Sequence, residues 1–177
     1  MTLSLPSSTL PLEIGGGDMR PPKGFGKLAR MVEGFQREYC FFHEYVYLLQ
    51  GKIWNAAIGG SGELRESLSY IWEAHYDTQK DVSSALDGAV LFFESRKSET
   101  NGALYRETKR VLELVGFLEE RLPLLFGGVR EAMRIVAGIR LEDGARRALD
   151  MTWSVVVLHE QALAALVKQA RNRLKFI

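Results

Sequence analysis

The stretch "YCFFHEYVYLLQ", residues 39–50, decides how the chain is read. Taken alone it suits a β-strand, because aromatic and β-branched residues dominate it. Its neighbours decide otherwise. Leu28, Val32, Phe35, Tyr39, Phe42, Val46, Leu49 and Ile53 follow one another by three and four, the spacing of one helix face. The stretch is therefore the middle of a first helix over residues 26–57, which "IGGSG" at 58–62 ends.

Outward from that helix the same spacing recurs. Leu64, Leu68, Ile71, His75, Thr78, Val82, Ala85, Ala89 and Phe93 predict a second helix over 63–97, with Asp87 and Gly88 as the place where it can kink. Asn101 is a candidate N-cap for the third, whose stripe is Leu104, Thr108, Val111, Val115, Leu118 and Leu122. Pro123 removes a backbone donor and predicts a stop, followed by a shorter helix over 124–138. After "LEDG" a last helix over 145–176 places Ala145, Ala148, Thr152, Val155, Val156, His159, Leu163, Leu166 and Ala170 inward. The five prolines stand at 6, 11, 21, 22 and 123, so helices have the span between the last two to themselves. The expected fold is all-α: an up-and-down antiparallel bundle of four long helices plus one shorter helix. Residues 1–25, with Pro, Ser and Gly among scattered leucines, form an extended N-terminal arm, and 26–177 form the bundle domain.

Bulk properties narrow the function. At 177 residues with 46% hydrophobic side chains the chain is one domain that buries a core without disulfides. A formal charge of +1 makes nucleic acid an unlikely default partner. The single cysteine, Cys40, excludes an intrachain disulfide and a dithiol pair, and a reducing, cytoplasmic setting fits. No apolar run is long enough to span a bilayer, and the N-terminal stretch lacks a basic start.

Four features stand as candidates. The first is the side of the first helix away from its core stripe, where Phe41, Tyr45, Tyr47 and Leu48 put aromatic and apolar groups at positions a bundle helix usually makes polar. Such a patch marks either a surrounded helix or a contact for another chain, and interface cores favour these residue types. The second is the set His43, His75 and His159, one near the middle of each of three helices, with Glu44, Glu73, Asp77 and Glu160 close by. Imidazole and carboxylate could hold a metal ion or haem between helices, although the Glu-x-x-His spacing of di-metal bundles is missing. Structural histidines bonded inside the core are the competing reading.

The third is the basic end, residues 161–177, where Lys168, Arg171, Arg173 and Lys175 stand without an acid. Cations there suit the helix dipole, and they also offer contact to an acidic protein or an anionic membrane surface. The fourth, "GGSGE" at 59–63, lacks the ending of a phosphate-binding loop and reads as a turn. Cys40 has no orienting third group, and no serine-hydrolase or metalloprotease motif appears. The expectation is a non-enzymatic protein without a cofactor that associates with a protein partner or with itself, as a subunit, adaptor or chaperone-like component. A metal- or haem-binding bundle and a membrane-surface protein are the alternatives.

Overall fold

In the computed structural model the described residues, 24–95 and 104–174, fold into four α-helices with no strand among them. These are α1 (Phe25–Ala57), α2 (Gly62–Ser95), α3 (Leu104–Ala137) and α4 (Asp143–Leu174). The expected arm lies outside the described residues except for its last two. Gly24 precedes α1 with φ 119°, a backbone conformation that glycine adopts without strain, and its carbonyl accepts from the amides of Lys27 and Leu28. Ser61 opens α2 by accepting the Leu64 amide on its hydroxyl at 3.3 Å. The turn from α3 to α4 is tied by Arg146, whose guanidinium donates to the Ile139 carbonyl at 2.7 Å.

One sequence expectation fails. Residues 124–138 are not a separate fifth helix, since α3 runs through Pro123 without interruption. The buried series Val111, Val115, Leu118, Leu122, Leu125, Val129, Ala132 and Val136 keeps its step of four and three across the proline. Pro123 itself is exposed, so the lost backbone bond faces solvent while the core face stays continuous. Burial of that face outweighs a local cost of about 3 kcal/mol. Likewise α2 passes through Asp87 and Gly88, and Asp87 accepts a hydrogen bond from Gln36 Nε2 at 2.8 Å.

Sequential helices are antiparallel. Phe25 meets Phe93 at the start of α1 and the end of α2, with ring centroids 5.2 Å apart. Tyr39 donates its hydroxyl to the Gln79 carbonyl at 2.8 Å nearer the middle. Arg121 faces Asp81 and Arg110 lies over Phe92 between α3 and α2. Arg171 pairs with Glu119 between α4 and α3. Helices α1 and α3 also touch across the bundle, Phe42 against Phe126 at 5.0 Å edge to face, whereas α2 and α4 make no contact with each other among the described residues. The section is thus a diamond with α1 and α3 on its short diagonal, and α1 is packed against all three others. Val32, Leu49, Ile53, Leu68, Leu86, Val115, Leu125 and Leu163 have no exposed surface and mark the core. Truncating such a leucine to alanine costs about 2 to 5 kcal/mol.

Candidate functional site

The outer side of α1 divides in two. Phe41 and Tyr45, one helical turn apart, hold the His159 ring of α4 between them, with centroids at 5.6 and 5.4 Å and ring planes inclined by 25° and 17°. His159 Nδ1 is 2.6 Å from Glu38 Oε1, one further turn back on α1. Phe41 and Tyr45 are therefore engaged within the chain, although Phe41 remains 44% exposed. Tyr47 and Leu48 are not so engaged: they are 70% and 48% exposed. With Trp54 they wall a shallow hollow of about 500 Å³ centred on Gly51, whose absent side chain leaves open space. Ile58, at the end of the same helix, is exposed as well.

The histidines occupy three different environments. His43 Nε2 accepts from the Gln79 amide, half-buried between α1 and α2. His75 is buried between α2 and α3, its Nδ1 donating to the Leu125 carbonyl at 3.2 Å and its ring edge-on to Trp72 at 5.3 Å. Burial lowers its pKa from 6.5 to about 4, because the charged imidazolium would lose its water. A neutral imidazole with Nδ1 protonated is the form this position holds. Gly128 of α3 faces this ring, and a Cβ there would stand 3.6 Å from the Cβ of His75, in ordinary van der Waals contact. His159 has Glu38. Among the described residues no three His, Cys, Asp or Glu side chains come together as a metal site. The ligand types read from the sequence are present, but each imidazole is held by another group.

Glu160 contributes to none of the histidine environments. It is buried between α4 and α3 and paired with Arg130, and burial raises its pKa despite the cation. Cys40 is a free, exposed thiol. Of the 59–63 stretch, residues 59–61 lie in the turn between α1 and α2, and Gly62 and Glu63 already belong to α2.

The basic end separates by side chain. Arg171 is committed to Glu119, with Nε 3.1 Å from the carboxylate. Lys168 borders a cleft between α3 and α4 above Leu122, Phe126 and Glu160. Arg173 borders another groove, between α1 and α4, whose other cations are Lys27, Arg30 and Arg37 of α1. Lys175 lies outside the described residues. The sequence reading missed the α1 half of this basic groove, because its cations are more than 130 positions from Arg173 and only the antiparallel pairing of α1 with α4 brings them together.

No helix of the described residues is long and apolar enough to cross a membrane. Comparison of the chain with family models, with curated proteins and with solved structures gives no match.

Proposed function

We propose that this chain is a non-enzymatic, cytoplasmic protein that works by association, as a subunit, adaptor or chaperone-like component of a larger assembly. The observation that carries the reading is the hollow around Gly51, walled by the exposed Tyr47 and Leu48 and by Trp54. Large apolar side chains left on a solvent-facing helix surface cost about 25 cal/mol per Å² of apolar surface until something covers them. A glycine in mid-helix costs about 1 kcal/mol relative to alanine, and here it gains nothing inside the chain. Both costs are recovered if a partner places an apolar side chain in the hollow.

The test uses native mass spectrometry on protein purified from cells that produce it naturally. The expected result is a species whose mass exceeds a whole multiple of the 19.9 kDa chain, and that excess disappears in Gly51→Leu and in Tyr47→Glu with Leu48→Glu. Gly51→Leu fills the hollow and favours the helix, so its loss of partner is not a loss of fold. A mass unchanged by either variant overturns the reading.

A further inference from the structure

The groove between α1 and α4 has a volume of about 660 Å³, a floor that includes Met31, Phe35 and Leu166, and four cations on its lips, Lys27, Arg30, Arg37 and Arg173. No acid lines it. Among the described residues none of the four has an ion-pair partner. Four unpaired cations around an apolar floor call for an occupant that is apolar in its middle and acidic at its flanks. Three of the cations lie on α1 in a stripe, Lys27, Arg30, Gly34 and Arg37, which steps by three, four and three. At Gly34 an added Cβ would meet nothing within 4 Å, so the stripe carries an opening between two arginines.

The outer face of α2 carries the converse. Glu63, Glu66, Tyr70 and Glu73 also step by three, four and three, and Asp77 continues the stripe. All are exposed, Tyr70 at 76%, and none of the acids has an ion-pair partner among the described residues. The face turns away from the buried Leu68, Trp72 and His75 of the same helix. Set alongside in the same direction, the two stripes match position for position: Lys27 with Glu63, Arg30 with Glu66, Gly34 with Tyr70, Arg37 with Glu73. Three contacts join opposite charges, and the fourth sets a projecting tyrosine over the glycine. Run in opposite directions the steps still coincide, because three, four, three reads the same both ways, but Tyr70 then falls on Arg30 and Glu66 on Gly34, so only two opposite-charge contacts remain and the glycine receives no tyrosine.

We infer that the occupant of the α1–α4 groove is a second copy of this chain, which inserts Tyr70 of its α2 over Gly34 between Arg30 and Arg37. The groove involves α4 and the acidic face belongs to α2, and those two helices do not touch. Each copy therefore presents a socket on one side and a plug on another, and the contact is head-to-tail, which extends into a chain or closes into a ring. This contact deepens the association reading but uses none of Tyr47, Leu48 or Gly51, so either surface can fail without the other.

Sedimentation velocity across a range of concentrations tests it, with the wild type and two charge-reversal variants, Arg30→Glu with Arg37→Glu and Glu66→Arg with Glu73→Arg. All four positions are exposed, so both variants keep their fold, which circular dichroism checks. The wild type is expected to grow with concentration beyond a dimer and to weaken about tenfold or more in high salt. Each variant alone sets like charges against each other and is expected to stay at 19.9 kDa. Mixed in equal amounts they pair opposite charges at every contact again, and association returns. Gly34→Leu plugs the socket and also leaves a monomer, while Tyr47→Glu with Leu48→Glu still self-associates. A wild type that is monomeric throughout, a variant that associates unchanged, or a mixture that stays monomeric overturns the inference.

Discussion

Glu38 and His159 stand 2.6 Å apart and join the first helix to the last, with both side chains only 19% exposed. The carboxylate fixes which way the imidazole turns, and that orientation lays the ring flat between Phe41 and Tyr45. His159→Ala removes the bond and the filling together and is expected to cost about 1 to 3 kcal/mol. His159→Phe keeps the stacking and loses only the bond, so it should fall between alanine and wild type. Urea unfolding midpoints at constant slope measure both. An alanine variant as stable as wild type would show that the sandwich contributes nothing.

His75 makes stability depend on pH. Its folded pKa of about 4 lies below the ordinary 6.5, so the unfolded chain takes up this proton first as the solution is acidified. The contribution is complete above pH 6.5, is lost progressively as pH falls to about 4, and is constant below that. At about 1.4 kcal/mol per unit the total is near 3 kcal/mol. The measurement is the difference in unfolding free energy between wild type and His75→Gln across this range, which cancels the contribution of the carboxylates common to both. A difference that does not change with pH would place the imidazole in contact with water.

Glu160 works in the other direction. Burial raises its pKa, so the folded state holds this proton more tightly than the unfolded one, and its effect on stability declines as pH rises through the carboxylate range. Removing the charge by Glu160→Gln should change stability at neutral pH by less than about 1 kcal/mol, because the exposed Arg130 is left in water. Arg130→Ala leaves the carboxylate buried without its cation and should cost about 1 to 3 kcal/mol. If the two variants are equal, the pair is worth no more than a surface ion pair.

Pro123 offers a direct check on α3. In a continuous helix, Pro123→Ala restores a backbone donor and removes a ring clash on an exposed position, with an expected gain of about 1 to 3 kcal/mol. A change near zero would mean that the helix is interrupted at this residue.

The sequence made the helices legible because their stripes are long and regular. In α1 the expected series Leu28 to Ile53 is buried throughout, whereas the buried series of α4 is Leu149, Val156, Glu160, Leu163, Val167, Ala170 and Leu174, so that of the expected stripe only Val156, Leu163 and Ala170 are buried and Ala145 is exposed. The break expected at Pro123 does not occur because the proline's local cost is set against the unbroken phase of Val115, Leu118, Leu122, Leu125 and Val129 on either side. The functional side chains were legible by type but not by partner. Nothing in the spacing shows that Glu38 meets His159, 121 positions away, or that Arg173 shares a groove with Arg30. Phe41 and Tyr45 read as outward aromatics, and they are half occupied by that same histidine. Contacts between helices depend on rotation and register of whole elements, which a single stripe leaves free.

The diamond arrangement of the helices sets the order in which the chain can be finished as it is made. α1 is made before α3 and α4, yet both of those helices pack against it. A nascent chain that ends with α2 has α1 in place with only one of its three neighbouring helices. Sequence-distant contacts of this kind are formed late and slowly. Until α3 and α4 have been made, α1 therefore keeps part of its apolar surface uncovered.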